Sequence, residues 1–237
     1  MKKLIIIPTY NEAKSLPILV DAIIAQSIEN CDILVVDDNS PDGTANVIQK
    51  LYPLNQASIQ VHVLNRSKKE GIGKAYIAGF QWALKKDYDL IMQMDADYSH
   101  DPIYLKAMFT AINQGADVVL GSRYVAEGGT KNWGAIRKIV SRGGSLYART
   151  ILGLKINDLT GGFKCFKREV LESIHLDTIK TAGYAFQIET TYRAIQKGFK
   201  VVEMPIIFCD RTVGQSKMSK AIFLEAVIKV LQMRFQK

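Results

Sequence analysis

The sequence predicts an α/β protein, Rossmann-like, with a mostly parallel central sheet flanked by helices. Short apolar runs, each typical of a strand buried on both faces, alternate along the first half of the chain with segments of helical periodicity. The runs at 3–7, 32–36, 90–94 and 117–120 all lead into polar or acidic residues. The length of 237 residues suits one large domain of this class, with or without a tail.

The individual elements follow from the spacing of apolar residues. Recurrence every three or four positions predicts a helix, whereas a short continuous run predicts a buried strand. Helices are predicted at 15–26, 44–51, 74–85, 102–114, 135–152, 168–174, 184–196 and 219–235. Strands are predicted at 3–7, 32–36, 59–64, 90–94, 117–120 and 200–207, with one more ending at 166.

The last helix differs from the others, so we divide the chain into a domain at 1–218 and an amphipathic C-terminal helix at 219–237. Apolar residues cover most of this helix and leave a narrow polar stripe, with basic residues near both ends. Such a helix packs on its own domain or on a partner helix, or it lies in a membrane interface. The pattern alone leaves both interpretations open.

The composition favours anionic partners. The chain has 31 Lys and Arg against 23 Asp and Glu, a formal net charge of +8, which attracts phosphates, nucleic acid or an anionic membrane surface. Its three cysteines lie far apart, which predicts core residues in a reducing compartment and no disulfide framework. The apolar start is too short for a signal peptide, and no apolar run is long enough to span a bilayer. We therefore expect a cytoplasmic protein.

The stretch LIMQMDADYSHDP at 90–102 is the centre of the predicted site. Its strand runs directly into Asp95 and Asp97. In an open α/β sheet, ligands bind at the carboxyl ends of the strands, and Mg²⁺ takes one or two carboxylates together with substrate phosphates. The stretch thus predicts a site for a divalent cation, Mg²⁺ or Mn²⁺, with a diphosphate. An Asp-rich turn with solvated acids is the alternative.

Polar groups also follow three other predicted strands, and in a parallel sheet all of them meet at one edge. Arginines near Gly or Pro loops then supply more positive charge than one metal-bound diphosphate needs, which suggests a second anionic substrate. For any single arginine, a surface salt bridge of little energetic value is the alternative. The strand-end residues are Tyr10 and Glu12, Asp37 and Asp38, and Ser122 and Arg123, and the further cations are Arg137, Arg211 and Lys217.

Three common enzyme signatures are missing. The dinucleotide fingerprint GxGxxG should follow the first strand, but that strand leads into PTYNE at 8–12. The phosphate-binding P-loop and the nucleophile elbow are also absent. These absences argue against a nucleotide cofactor of the dehydrogenase type, a P-loop NTPase and a serine hydrolase.

Six motifs, in order along residues 4–218, resemble the dolichol-phosphate mannose synthases, which are family-2 glycosyltransferases of the GT-A fold. PTYNE and the DxD acids are common to many family-2 enzymes, whereas DDxSPDGT, GSRY and RxxGxSK together are narrower and point to polyprenyl-phosphate sugar transferases. The motifs are PTYNE at 8–12, DDNSPDGT at 37–44, DADYSHDP at 95–102, GSRY at 121–124, DLTGGFKCF at 158–166 and DRTVGQSKM at 210–218.

The resemblance implies a GT-A catalytic domain at 1–218 that transfers mannose from GDP-mannose to dolichyl or polyprenyl monophosphate with inversion. One alternative is another sugar, such as glucose from UDP-glucose, on the same lipid. A second is a catalytically silent module that binds an anionic lipid. Nucleic acid is not expected as a partner, because no basic–aromatic stripe or known module is present.

The resemblance also implies roles for individual residues. Asp97, Arg123 and Arg211 are the expected catalytic residues, Asp95 and Asp97 the metal ligands, and Arg137 and Ser141 the contacts to the acceptor phosphate. Some relatives carry Gln, a further metal ligand, where this chain has Ser99. The expected nucleotide-sugar site comprises Pro8, Tyr10, Glu12, Val36, Asp38, Asp95, Ala96, Asp97, Arg123, Arg211 and Lys217.

The chemistry of the implied acceptor sets the mechanism. A lipid monophosphate is an anion at neutral pH, so it attacks the anomeric carbon without a general base. The protein must orient and neutralise two anions, and direct displacement then inverts the anomeric centre. Because the lipid tail stays in the bilayer, we expect the protein to be peripheral to the cytosolic face of the membrane. Its means of docking are the tail helix, the basic surface or a membrane-anchoring partner subunit.

Overall fold

The structure is a computed structural model that describes residues 1–54, 59–210 and 220–235. Within this part of the chain, seven strands form one sheet in the order β3-β2-β1-β4-β7-β5-β8. They are β1 Lys3–Thr9, β2 Cys31–Asp37, β3 Val61–Asn65, β4 Leu90–Gln93, β5 Val118–Ser122, β7 Lys164–Lys167 and β8 Val201–Pro205. Strand β7 is antiparallel to its neighbours β4 and β5, and the other pairings are parallel. The prediction of a mostly parallel sheet is confirmed.

Helices cover both faces of the sheet, as predicted. They are α1 Leu16–Ala25, α2 Thr44–Leu51, α3 Ile72–Leu84, α4 Leu105–Asn113, α5 Ala135–Leu152, α6 Arg168–Ser173, α7 Gly183–Gln196 and α8 Lys220–Phe235. The predicted helix near 102 begins as a 3₁₀ turn, Pro102–Tyr104, in which the Asp101 carboxylate accepts a hydrogen bond from the Ile103 N–H (3.0 Å). A small two-stranded parallel sheet, formed by β6 Gly129–Lys131 and β9 Ile207–Cys209, was not predicted from the sequence.

The alternation of side chains along β1 explains how one apolar run supplies two cores. Leu4 and Ile6 point to the face covered by α3, whereas Ile5 and Ile7 belong to the cluster on the opposite face, and all four are fully buried. Helix α3 approaches β1 closely at Gly79, where a Cβ atom would lie 2.6 Å from Ile6 Cγ2. The apolar run therefore fixes β1 at the centre of the fold.

Helix α8 packs on the domain along one side and stays exposed along another. Val230 and Met233 are buried against the core, and the Tyr147 hydroxyl donates to the Val227 carbonyl at 3.1 Å. Ile228 and Phe235 are exposed. The boundary at residue 218 stays a prediction. Among the described residues, no helix is both long and apolar enough to cross a membrane.

Candidate active site

The carboxyl ends of the parallel strands meet at one edge of the sheet, as predicted. Strands β1 and β2 end side by side, with Thr9 opposite Asp37, and the Met94 N–H at the end of β4 donates to the Ile6 carbonyl of β1 at 3.1 Å. Strand β5, which ends at Ser122, runs in the same direction because β7 is antiparallel to both β4 and β5. Parallel pairing thus brings polar groups from distant parts of the sequence to one cleft.

Asp95 and Asp97, which we call the aspartate corner, follow directly after β4. The Asp97 carboxylate accepts a hydrogen bond from the Ser99 N–H at 3.1 Å. Tyr98, which lies between Asp97 and Ser99, has a φ of 60°, in the left-handed region that bulky residues rarely adopt. This turn sets the backbone conformation next to Asp97.

The donors at the aspartate corner suit a hard divalent cation. Within the described ranges, no group of three or more His, Cys, Asp or Glu side chains could hold a metal. Two carboxylates alone leave coordination positions for substrate phosphates and water, which is the way Mg²⁺ is usually held. The Ser99 hydroxyl is buried and has no hydrogen-bond partner in the part of the chain that the structure describes. The residues present therefore fit a cation that is shared with a phosphorylated substrate.

Two aromatic side chains that sequence analysis missed hold Asp95. The Tyr76 hydroxyl donates to Asp95 Oδ1 at 3.0 Å, and burial raises the pKa of Tyr76 well above its usual value, so it stays a donor at neutral pH. The Asp95 N–H donates to His100 Nδ1 at 3.1 Å, which places the imidazole proton on Nε2. His100 stacks on Phe163 with ring centroids 4.8 Å apart, and burial lowers its pKa.

A buried lysine lies behind the corner. Lys164 on β7 is fully buried, and its ammonium group donates to the Gln187 carbonyl at 2.6 Å and to the Thr190 hydroxyl at 3.3 Å. Burial lowers its pKa to about 7. The Gln187 side chain in turn accepts from Gln93, which pairs with Lys164 in the sheet. Lys164 thus links helix α7 to β7, the strand that pairs with β4.

The two motifs expected to bind the nucleoside are joined to each other. The Asp42 carboxylate accepts hydrogen bonds from the Ala13 N–H and the Thr44 N–H, both at 3.0 Å, and Thr44 accepts from the Glu12 N–H at 3.0 Å. Burial disfavours the charged form of Asp42, but the hydrogen bond from the Thr44 hydroxyl (2.6 Å), together with these backbone bonds, outweighs it and lowers the pKa of Asp42. PTYNE and DDNSPDGT therefore form one surface.

The predicted nucleoside residues differ in how much they can offer to a ligand. Asp38 is buried and paired with Arg66; burial raises its pKa, although Arg66 opposes the shift. The Val36 side chain lies fully in the core, so only its backbone can face a ligand. Lys69 lies over the Tyr10 ring, 3.8 Å from its centroid. Pro8 and Glu12 are half-buried, and Ala96 is buried.

Arg123, predicted to hold phosphate, is buried in a bidentate pair with Asp158. Its Nε and Nη2 donate to the two carboxylate oxygens at 2.6 Å each, and Nη2 also donates to Thr160 at 2.9 Å. Burial alone would lower the pKa of Arg123, but Asp158 outweighs it and the pKa is raised. Glu203 accepts a hydrogen bond from the Asp158 N–H at 2.9 Å and so holds the backbone of Asp158 in place. A direct phosphate contact from Arg123 stays a prediction.

The two predicted acceptor contacts lie on α5, beside an apolar cavity of about 250 Å³. Arg137 stacks on Trp133 at 4.1 Å from the ring centroid and pairs with Asp210 at 2.6 Å. The Ser141 hydroxyl accepts from the Tyr124 hydroxyl at 2.6 Å. Arg211 and Lys217 lie outside the described residues. The cavity is enclosed by α5, α7 and α8, with Trp133, Val140, Tyr147, Ile188, Val227 and Val230 in its wall.

The cavity and the aspartate corner are neighbours. Thr160, which lines the cavity, begins the segment that continues through Gly161 to Gly162. A Cβ atom at Gly162 would lie 3.6 Å from both carboxylate oxygens of Asp95. One short segment thus separates the aspartate corner from an apolar pocket that has Arg137 in its wall.

Comparisons with known proteins agree with this geometry. The sequence model of Glycosyl transferase family 2 matches residues 4–174. The chain is 44% identical over 231 residues to a polyprenol monophosphomannose synthase of Mycolicibacterium smegmatis, covering 98% of this chain and 86% of the relative. It is also 44% identical over 230 residues to an undecaprenyl-phosphate mannosyltransferase of Micrococcus luteus, covering 97% and 93%.

Solved structures share the fold at low sequence identity. A glucosyl-3-phosphoglycerate synthase from Mycobacterium tuberculosis, crystallised with Mn²⁺, UDP and phosphoglyceric acid, aligns with a TM-score of 0.69 at 17% identity, covering 98% of this chain and 78% of that one. The same enzyme with Mg²⁺ and UDP aligns with a TM-score of 0.68, covering 98% and 79%. The predicted GT-A-type α/β fold is confirmed.

Proposed function

The chain belongs to glycosyl transferase family 2, and from this premise we propose that it transfers mannose from GDP-mannose to a polyprenyl monophosphate with inversion. One observation carries the proposal: the aspartate corner lies one short segment away from an apolar cavity that has Arg137 in its wall. A donor diphosphate and a lipid phosphate need these two environments side by side. The names of the two relatives at 44% identity support the same reaction.

On the donor side, Asp95 and Asp97 would hold a divalent cation, Mg²⁺ or Mn²⁺. When bound, the cation supplies Lewis-acid stabilisation of the departing nucleoside diphosphate. A protein of the same fold is crystallised with Mn²⁺ and UDP. The residues of this chain fix the geometry: the Tyr76 hydroxyl donates to one oxygen of Asp95, and His100 accepts its backbone N–H.

On the acceptor side, Arg137 and Ser141 orient the lipid phosphate, and the apolar cavity receives the first part of its chain. The phosphate oxygen is already negative at neutral pH, so no side chain has to remove a proton. The oxygen attacks the anomeric carbon while the bond to GDP breaks, which converts an α-linked donor into a β-linked lipid phosphate. Positioning and charge neutralisation supply the catalysis.

The membrane side of the proposal rests on exposed apolar residues of α5 as well as α8. Ile136, Ile139 and Leu146 are 80%, 70% and 56% exposed, and the basic residues Lys138 and Arg142 are exposed on the same helix. Apolar side chains flanked by cations favour a membrane interface with anionic lipids. We propose that the protein is peripheral to the cytosolic face, with or without an anchoring partner subunit.

The donor is tested by offering GDP-mannose, GDP-glucose, UDP-glucose and UDP-galactose in turn with a short-chain polyprenyl phosphate and Mn²⁺. Highest kcat/KM with GDP-mannose is expected. Preference for UDP-glucose would refute the donor assignment, and vesicle binding without transfer from any donor would favour a non-catalytic lipid-binding module.

The acceptor site is tested by Arg137→Ala, which should raise the KM for the lipid phosphate about tenfold or more, because a charge-assisted hydrogen bond contributes ~1.5–3 kcal/mol. Lys106→Ala, which removes a charge of the same sign from an exposed position on α4, is the control. Equal KM values for the two variants would remove Arg137 from the acceptor site.

A further inference from the structure

Arg137, the cation proposed to hold the acceptor phosphate, already has an anionic partner within the chain. Its Nη1 atom lies 2.6 Å from Oδ1 of Asp210, and the two side chains are 31% and 28% exposed. Both members of the pair are held in position: the guanidinium stacks on Trp133, and the Asp210 N–H donates to the Lys131 carbonyl at 3.1 Å. The pair therefore joins the end of β9 to the first turn of α5.

We propose that Asp210 is a built-in competitor for the acceptor phosphate and lowers the affinity of that site for phosphate groups. This inference rests on the proposed function. The Asp210 carboxylate occupies the guanidinium edge that a phosphate oxygen would use. A bound phosphate must displace the carboxylate or share Arg137 with it against like-charge repulsion.

The same competition leaves two sources of phosphate with different occupancies, because their affinities without Asp210 differ. Free phosphate meets only the polar contacts of Arg137 and Ser141, whereas a lipid phosphate also buries its chain in the apolar cavity whose wall includes Trp133. Asp210 weakens both ligands by the same factor. The lipid, which is concentrated at the membrane and has the additional apolar contact, still fills the site, while the free ion at ordinary concentrations is kept out.

The test compares Asp210→Asn, which keeps the shape and removes the charge, with Asp117→Asn as the matched control. Asp117 pairs with Lys167 at 2.7 Å and precedes β5, at the edge of the sheet away from the site. Two quantities are measured for each: the KM of farnesyl phosphate in detergent micelles, and the dissociation constant of inorganic phosphate by calorimetry. In Asp210→Asn the KM and the dissociation constant should each fall about two- to fivefold, as expected of a partly exposed ion pair, while kcat stays nearly constant. In Asp117→Asn the KM and the dissociation constant should stay unchanged.

A higher farnesyl phosphate KM in Asp210→Asn, like that expected of Arg137→Ala, would show that Asp210 orients Arg137 and would overturn the proposal. An unchanged KM together with an unchanged dissociation constant of inorganic phosphate would also overturn it. Asp210→Ala is measured in parallel and should show the same direction. If instead Arg137→Ala leaves the farnesyl phosphate KM unchanged, the proposed acceptor site itself is wrong. The two failures are therefore distinguishable.

Discussion

Replacing Lys164 with Met should remove a pH-dependent part of the free energy of unfolding. In the folded chain burial lowers the pKa of Lys164 from 10.5 to about 7. Between pH 7 and 8.5 the unfolded chain keeps this proton while the folded chain loses it, so unfolding takes up a proton and stability rises with pH. With the pKa values above, the gain over this interval is about 1–2 kcal/mol.

The assay is urea unfolding at pH 7.0, 7.5, 8.0 and 8.5 of the wild type, Lys164→Met and the control Lys106→Met, which changes an exposed residue on α4. The difference in unfolding free energy between wild type and Lys164→Met should change steadily with pH in favour of the wild type. Lys106→Met should follow the wild type at every pH. A constant difference between wild type and Lys164→Met would show that Lys164 does not titrate in this range.

Three further results are expected. Tyr76→Phe should lower kcat about tenfold at saturating Mn²⁺, because it removes the hydrogen bond to the Asp95 carboxylate, which is worth ~1.5–3 kcal/mol. An unchanged kcat would show that Tyr76 does not position Asp95 for the reaction. Asp158→Ala should lower the free energy of unfolding by about 3–5 kcal/mol in urea titrations, since it leaves a buried guanidinium unpaired, and a loss below ~1 kcal/mol would refute it. The double substitution Ile136→Ser with Ile139→Ser should reduce co-sedimentation with anionic vesicles severalfold. The control Ile18→Ser, which changes a 63% exposed residue on α1, should not reduce it. Equal losses in the two variants would exclude a specific docking face.

The elements that could be predicted from sequence are those whose signal is local. The continuous apolar runs gave the buried strands, and the predicted helix at 135–152 is confirmed at both ends as α5. Strands β6 and β9 were missed because each has three residues, too few for a period to show. The exposed apolar residues of α5, which belong to the proposed docking surface, were also missed. They lie among charged residues, and the tail helix has the stronger apolar pattern.

The side chains that support the site could not be predicted, because tertiary packing chooses their partners. Tyr76 meets Asp95 from 19 positions away, and Lys164 reaches the Gln187 carbonyl 23 positions further on. Nothing in the local sequence marks a lysine in an apolar strand as buried. His100 was the exception that offered a signal, since it lies within the DADYSHDP motif itself.

The most direct test of the aspartate corner is lipid-mannose formation from GDP-mannose and a short-chain polyprenyl phosphate, before and after removal of divalent cations. Chelation with EDTA should stop product formation and added Mn²⁺ should restore it. Asp97→Ala should stay inactive under both conditions, while Asp101→Ala, four positions further along the same motif, should keep the metal response. Turnover that continues at the same rate after exhaustive chelation would contradict the account.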